Sequence, residues 1–450
     1  AIIFYITPWL PVYLLALIVL FVLIYHRPIL GLVLITFSIP FYVPQLLKPI
    51  YVYRFSPVEI FTLLTFGAVL LRNFGGQLEK IAAGEVKLNF KPNIVDFAIL
   101  GLLIVSVVSL AFTERLDVAT NELRTVIIGP ILFYWMLRIT KLDAKSIKWL
   151  IWAFIAGGLL VALIGLGQYV LGSNLITAEQ GLQRLRSIYG SPNNVALYLG
   201  RLYPILLAIT LAYFWDGTFK AKALLQAWKP LVLLLIILIT ILLTFSRGGL
   251  LLGIPAATAI VWFAFLRKQK WPIWPWVTVG ILVIVAGYFA ALQIPSLAGR
   301  LSLNSQTAGF RINLWASSLQ IIQDHPLTGL GLDNFLYAYR NEYILARAWQ
   351  EPNLNHPHNH ILDFATRLGL PGLLLAILIF WETLKQLFTK IKSAVSKVEW
   401  AFWIGLAGSI TYILAHGLVD HTFFLVDLAY STLLLVALSM QNLIPEQPIL

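Results

Sequence analysis

Stretches of about 18 or more apolar residues recur along the whole chain, and they constrain its fold more than any other feature. A helix needs about 20 such residues to cross roughly 30 Å of hydrocarbon. Charged residues make up only 12% of the 450 residues, whereas a soluble domain is about one quarter charged. The sequence therefore predicts an all-α, polytopic integral membrane protein.

The apolar pattern predicts about 12–13 transmembrane helices, separated by short loops and one long polar segment. We place these helices near 8–25, 28–46, 57–71, 93–112, 119–137, 149–171, 193–215, 230–245, 249–266, 273–293, 361–382, 400–416 and 422–440. The predicted organisation has three parts: an N-terminal transmembrane bundle (1–293), a long outward-facing loop with short helices (294–360) and C-terminal transmembrane helices (361–450).

The basic residues predict which loops face the cytoplasm, where Lys and Arg accumulate. One alternate set of loops carries 18 Lys and Arg in 68 residues, while the facing set, which includes 294–360, carries 10 in 107. The net charge of +12 thus indicates topology and contact with anionic membrane lipid, and we expect no nucleic-acid partner. Cysteine is absent, which excludes a disulfide framework and a thiolate nucleophile.

Four arginines fall in one predicted outward-facing layer: Arg124, Arg186, Arg201 and Arg247. An arginine within a membrane helix costs about 2.5–3.5 kcal/mol, so each needs a reason. Each one alone is explained by snorkelling to the interface or by a buried carbonyl partner. Together they favour binding of a phosphate or pyrophosphate on a lipid carrier, because guanidinium groups bind such oxyanions bidentately.

The loop 294–360 is too rich in apolar residues for disorder, and it predicts two short helices. Arg311 and Trp315 lie four residues apart on the first helix and share a face. This pair suits either structural cation–π packing or an anionic, sugar-bearing ligand. Arg340 lies on the second helix among tyrosines, where it would belong to a substrate site or to an interfacial belt.

Six of the seven histidines fall on the predicted outer side, which points to chemistry there. Three interpretations of His356–His360 compete. Alternate histidines on an extended chain bind a metal ion, although no carboxylate or cysteine clearly completes such a site. Alternatively, they form the polar end of the next helix, or one of them is a general base. We favour the base and expect neither a metal nor a cofactor.

These residues resemble the O-antigen ligase and polymerase superfamily of bacterial envelope glycosyltransferases, most clearly over about 180–440. The family's ligases carry His, then Asn, Ser or Gln, nine residues, Gly-x-x-Gly, and finally Gly, Thr or Tyr. This chain has His358 and Asn359, nine intervening residues, and Gly369-Leu370-Pro371-Gly372. The last position is Leu373, a departure from the ligase pattern.

The resemblance implies a multi-pass protein of the bacterial inner membrane with its active site facing the periplasm, similar in architecture to GT-C glycosyltransferases. It implies metal-independent, inverting transfer of an undecaprenyl-pyrophosphate-linked glycan to a lipid A-core, a growing glycan or a protein hydroxyl. His358 would activate the acceptor, while Arg247 and Arg311 would bind the pyrophosphate. We expect the supporting substrate contacts from Arg124, Arg186, Arg201, Trp315, Arg340 and Asn359, the last of which would also orient His358.

Two other functions fit a membrane protein of this kind. Some cyanobacterial relatives with the same domain are linked to inorganic-carbon accumulation, so a transporter-associated role is one alternative. A structural subunit of a membrane complex is the other. Transport predicts ionisable residues near the midplane of several spans, and the sequence has few.

Overall fold

The structure is a computed structural model that describes residues 9–43, 46, 48–50, 53–82, 91–178, 181–215, 221–275, 278 and 306–441. Most of the predicted span 273–293 and of the following loop to residue 305 lies outside the described residues.

Helices dominate the described chain, which confirms the predicted all-α class. In chain order they are α1 (Leu10–His26), α2 (Pro28–Ser38), α3 (Pro57–Ala82), α4 (Ile94–Ser109), α5 (Leu116–Glu122), α6 (Gly129–Ile139), α7 (Ala144–Val170), α8 (Pro192–Leu199), α9 (Tyr203–Ala212), α10 (Ala221–Gln226), α11 (Trp228–Leu243), α12 (Ile254–Lys268), α13 (Gln306–Asp324), α14 (Phe335–Ala338), α15 (His360–Ser393), α16 (Lys397–Gly417) and α17 (Val426–Ser439). The strands of the described residues form two antiparallel hairpins, β1 (Lys48–Ile50) with β2 (Tyr53–Phe55) and β3 (Leu175–Thr177) with β4 (Gln183–Leu185).

Six helical segments of the described chain are long and apolar enough to cross a membrane. Helices α1 and α2 add a seventh if they form one span, because they are bent by 118° at Arg27 and Pro28. Proline at the start of α2 permits this sharp turn, since it lacks the donor that would continue α1. The multi-pass architecture is therefore confirmed. The described helices support fewer full spans than the predicted 12–13, because several apolar segments form short or broken helices.

The centre of the bundle lies where α16 packs against α9 and α12. Small residues allow this close approach: a Cβ on Gly405 of α16 would lie 3.1 Å from the Ile205 Cα of α9. Trp400, Trp403 and Tyr412 of α16 are almost completely buried. The segment that follows α16 is thereby fixed to a rigid element, and this segment carries half of the site described below.

Three π-helical turns interrupt the regular helices, at Leu123–Ile128, Gly249–Gly253 and Tyr339–Tyr343. Such turns are frequent near functional sites, because they shift the register of the side chains that follow. The first joins α5 to α6, and the second lies directly after the Ser246-Arg247-Gly248 turn.

The described part of the long polar segment has its own small core. Helix α13, α14 and the π turn after it bury Leu314, Ile321, Leu330, Phe335, Ala338, Tyr339 and Tyr343 together. The predicted first helix is present as α13, and the predicted second helix is shorter, ending at Tyr343. A folded element of this kind holds side chains in place more firmly than a disordered loop would.

Candidate active site

Two chain segments meet to form the site: 355–360, directly before α15, and 418–425, between α16 and α17. His358 Nδ1 lies 2.9 Å from Asp420 Oδ1. His356 Nε2 lies 3.1 Å from His358 Nδ1 and 2.5 Å from His421 Nδ1. Residues separated by more than sixty positions therefore form one cluster of three imidazoles and a carboxylate.

Asn359 joins the two segments. It is the N-cap of α15, and its side-chain oxygen accepts hydrogen bonds from the backbone of Ile361 and Leu362. Its amide nitrogen donates to the Leu418 carbonyl at 3.0 Å. A cap of this type contributes about 1 kcal/mol to helix stability. Asn359 therefore fixes the position of His358 through the backbone. We had predicted that Asn359 orients His358 and contacts the substrate, and the substrate contact stays a prediction.

The backbone at His358 has an unusual conformation, with φ at +48°. Few residues other than glycine adopt this left-handed region, and those that do are concentrated at functional sites. The Asn359 cap and the contact with Asp420 hold His358 there. Its side chain is 23% exposed, which leaves part of the imidazole accessible.

Asp420 is only 2% exposed, and its orientation is set by side chains that precede it by more than two hundred residues. Asn193 Nδ2 donates to Asp420 Oδ2 at 3.0 Å, and Arg184 Nη2 donates to Asn193 Oδ1 at 3.0 Å. Arg184 Nε in turn donates to the Thr244 carbonyl at 2.8 Å. This chain of contacts leaves Asp420 Oδ1 directed at the histidines.

The electrostatics of the cluster favour an ionised Asp420 carboxylate beside an uncharged His356. Burial alone would raise the pKa of Asp420, but nearby His358 and hydrogen bonds from the three histidines hold that pKa well below its usual range. Burial, with His421 and His358 close by, lowers the pKa of His356 well below its usual range. Asp420 is thus a carboxylate and His356 an uncharged imidazole at neutral pH.

The cluster lines a cavity of about 440 Å³, a size typical of small-molecule sites, together with apolar residues such as Val126 and Leu425. Another part of the lining comes from the region where α5 meets its π turn. The lining residues include Tyr42, Asn121, Glu122, Thr125, Ser191, Asn193, Asn194, Asp333, Asn355, His356, His358, Arg367, Asp420, His421 and Phe424. A ligand held here would contact His358.

Arg367 lines the cavity although the sequence analysis passed over it. Its Nη1 lies 2.5 Å from Glu122 Oε2, its Nε lies 2.9 Å from Asp363 Oδ1, and its guanidinium lies over the Phe424 ring at 4.7 Å. The residue falls among the nine positions between Asn359 and Gly369, which we had treated as a spacer. Its location inside an apolar helix, four residues after Asp363, is the signal that would have identified it.

A break in α15 explains why glycine occupies positions 369 and 329. Gly369 has φ +64° and ψ −172° inside the helix, a conformation available almost only to glycine. The open turn exposes backbone groups that pair with the segment after α13: Leu330 N donates to the Thr366 carbonyl at 2.8 Å, and Leu370 N donates to the Pro326 carbonyl at 2.8 Å. A Cβ on Gly329 would lie 2.5 Å from the Arg367 carbonyl carbon. Glycine is therefore required on both sides of this contact.

The predicted residues Arg311 and Trp315 lie on the helix that packs beside the histidine segment. Trp315 Nε1 donates to the Pro357 carbonyl at 2.9 Å, which links α13 to the residue before His358. Arg311 is one turn earlier on α13, and its charge acts on His416 at the end of α16. Arg311 is thus near the segment that leads to Asp420, although it does not belong to the lining of the described cavity.

Arg247 approaches the same region from the turn after α11. A Cβ on the following residue, Gly248, would lie 2.5 Å from His416 Cδ2. The Ser246-Arg247-Gly248 turn therefore packs directly against the end of α16. Arg247 is half-buried and, like Arg311, lies outside the lining of the described cavity.

Arg201 and Arg186 have their donors engaged by the protein. Arg201 is completely buried and donates to the carbonyls of Leu197, Leu428 and Thr422 and to the hydroxyls of Ser431 and Thr432. Arg186 donates to the backbone and side-chain oxygens of Asn174, which joins the open ends of the β3–β4 hairpin. Neither arginine is brought to the cavity, and this arrangement gives no support to the predicted substrate contacts.

Arg124 and Arg340 also lie away from the histidine cluster. Arg124 forms an ion pair with Glu59 at 2.5 Å and lies over the Phe55 ring, although its hydrogen-bond partner Asn121 does line the cavity. Arg340 is exposed and lies 3.4 Å from Asn353 Oδ1. Of these two, only Arg124 contacts a residue that lines the cavity.

Comparison with known proteins gives one family match. Residues 232–377 match the family model described as O-Antigen ligase. This segment contains Arg247, Arg311 and His358 but neither Asp420 nor Asn193. No curated protein matches the chain.

Proposed function

We propose that this chain transfers an undecaprenyl-pyrophosphate-linked glycan to an acceptor hydroxyl, because its residues 232–377 match the family model described as O-Antigen ligase. The family match supports glycan transfer in general. The proposal adds the donor, a glycolipid, glycan or protein acceptor, and a site that faces the periplasm from the bacterial inner membrane.

The observation that carries this proposal is the His358–Asp420 pair in the lining of the cavity. An imidazole whose Nδ1–H donates to a carboxylate presents Nε2 as a proton acceptor. The carboxylate fixes this tautomer and stabilises the cation that forms when the imidazole accepts a proton. The pair therefore has the composition of a general base with its orienting group.

In the proposed reaction the acceptor oxygen attacks the anomeric carbon of the glycan as the bond from that carbon to the pyrophosphate oxygen breaks. The acceptor proton passes to His358 Nε2, and the bonding electrons leave with the lipid pyrophosphate. A single displacement of this kind inverts the anomeric configuration. The pyrophosphate is already a capable leaving group, so one base and nearby cations suffice without a catalytic metal.

We assign the cationic role to Arg247 and Arg311, which approach the end of α16 from two different elements. Guanidinium groups there would stabilise the charge that develops on the departing pyrophosphate. Trp315, one turn from Arg311 and bonded to the histidine segment, would pack against a sugar ring of the glycan.

The test is a transfer assay with purified protein, undecaprenyl-pyrophosphate glycan and a panel of acceptors. We expect His358→Ala and Asp420→Asn each to lower the transfer rate by about 10²–10⁴-fold, the usual contribution of general base catalysis. Arg247→Ala and Arg311→Ala should also lower it. The matched control is His26→Ala, which removes an exposed histidine at the end of α1.

Equal transfer by the wild-type, His358→Ala and Asp420→Asn proteins would overturn the assigned base. Absence of transfer to every acceptor, together with uptake of a small solute by reconstituted vesicles, would overturn the enzymatic function itself.

A further inference from the structure

We propose that His356, His358, His421 and Asp420 form a binding site for a divalent zinc-class ion, and that the bound ion inhibits the transfer reaction. The binding site stands on geometry alone, whereas the inhibitory effect rests on the proposed function of His358.

Four ligand atoms, one from each side chain, lie within 4.8 Å of one another. The separations around Asp420 Oδ1 are 2.9 Å to His358 Nδ1, 3.3 Å to His421 Nδ1 and 3.7 Å to His356 Nε2. Ligand atoms about 2.0–2.2 Å from a tetrahedral zinc ion lie roughly 3.3–3.6 Å apart. The separations around Asp420 Oδ1 bracket this spacing, and the closest pair, His356 Nε2 and His421 Nδ1 at 2.5 Å, would have to move apart by about 1 Å to admit an ion.

The nitrogen pair between His356 and His421 supports this interpretation. The two atoms are 2.5 Å apart, closer than the usual hydrogen-bond range of about 2.7–3.2 Å. Nitrogen lone pairs that converge on one point beside a carboxylate are the arrangement that a cation satisfies.

The chemistry of the donors selects the ion. Three imidazole nitrogens and one carboxylate oxygen suit zinc and its neighbours, whereas calcium and magnesium prefer oxygen ligands. With all four positions filled by protein, a tetrahedral site resembles a structural zinc site more than a catalytic one, which keeps a position open for water.

Groups around the cluster orient two of the ligands as metal sites require. His356 Nδ1 lies 2.7 Å from Asn355 Oδ1, so that the far nitrogen donates and Nε2 is left for an ion. The second oxygen of Asp420 is held by Asn193 Nδ2 at 3.0 Å. Such outer contacts fix the tautomer of ligating histidines and the direction of ligating carboxylates.

Inhibition follows from the atoms that the ion would use. An ion bound to His358 Nδ1 leaves the imidazole proton on Nε2, and this nitrogen then cannot accept a proton from the acceptor hydroxyl. The same ion draws Asp420 Oδ1 away from the imidazole. The metal site and the proposed base therefore share two residues and exclude each other.

The binding experiment uses the full-length protein in detergent after treatment with EDTA and dialysis. Zn²⁺ is titrated calorimetrically, and Co²⁺ is added separately because its visible spectrum reports tetrahedral coordination. We expect one ion per chain and a rise in the melting temperature with zinc. His421→Ala and His356→Ala should weaken binding by about 100-fold or more, since even outer contacts contribute 10–100-fold. His26→Ala should bind as the wild type does.

The transfer assay then separates the two parts of the proposal. Zinc should inhibit the wild-type protein and His26→Ala, and EDTA should restore the rate. His421→Ala lacks a ligand but keeps His358 and Asp420, so zinc should not lower its transfer rate below the rate that this variant has without zinc.

Failure of the wild type to bind, or wild-type binding by both ligand variants, would overturn the metal site and show a purely hydrogen-bonded cluster. Loss of transfer in EDTA with recovery on adding zinc would uphold the site but overturn both inhibition and metal-independent transfer. Zinc binding without transfer under any condition would uphold the site and overturn the proposed function.

Discussion

Individual residues show how contacts distant in sequence build this site. His358 has a base-like environment only because Asp420 accepts its hydrogen bond, and Asp420 is in turn oriented by Asn193 and Arg184. The amide side chain of Asn193 can act neither as a base nor as a cation. We therefore regard it as a positioning residue that acts through Asp420.

A double-mutant cycle tests this role of Asn193. We expect Asn193→Ala to lower the turnover number about tenfold with little change in KM, since it loosens a group that acts in the transition state. In the Asp420→Asn background the same change should have almost no further effect, because residues that act through one another are not additive. Asn353→Ala, an exposed change beside Arg340, is the control. Fully additive losses would contradict the assigned role.

At the scale of elements, the broken helix α15 couples the site to the segment after α13. Gly369 opens the helix, and the freed backbone pairs with the chain from Pro326 to Gly331. The Gly-x-x-Gly of the motif is thus explained by backbone geometry. Arg367 lies two residues before the break, so the cavity wall depends on the same turn.

We expect Gly369→Ala to destabilise the protein by about 1–3 kcal/mol, the usual cost of a side chain in this backbone region. The clash adds to the cost, because the new Cβ would lie 2.5 Å from the Leu327 carbonyl carbon. Thermal unfolding in detergent measures the loss. The control is Gly309→Ala in α13, where a Cβ meets nothing within 4 Å and stability should stay equal or rise slightly. A Gly369→Ala protein as stable as the wild type would contradict the requirement for glycine.

Across the whole molecule, the orientation in the membrane stays a prediction from the basic loops. The site lies with the loops that are poor in lysine and arginine, whereas the α15–α16 connection belongs to the predicted cytoplasmic set. If this topology is right, a glycan donor that reaches the periplasmic leaflet meets the cavity there.

The absence of native cysteine makes the topology directly measurable. We expect Gln350→Cys, in the long polar segment, to react with a membrane-impermeant maleimide in spheroplasts. Val395→Cys, which is 89% exposed between α15 and α16, should react only after the membrane is permeabilised. The unsubstituted protein is the control for background labelling. The reverse pattern would invert the predicted orientation.

Sequence reasoning reached the fold class and one side of the site, because those signals are local. Apolar length predicts helices, and the spacing from His358 to Gly369 lies within one continuous segment. The sequence alone does not establish the pairing with Asp420, because only the packing of α16 and α17 brings that residue to the histidines. Arg201 shows a related limit. The sequence around a membrane arginine is the same whether the guanidinium binds a ligand or five groups of its own protein.

The pairing of His358 with Asp420 also limits how parts of this protein can be exchanged. The base lies inside the segment 232–377 that matches the family, and its carboxylate lies outside it. A chimera that transplants only this segment into a protein of the matched family would place His358 beside a residue of the recipient protein instead of Asp420. A transplanted segment that extends through Asp420 would keep the two residues together, so the segment that must be exchanged is longer than the one that matches the family.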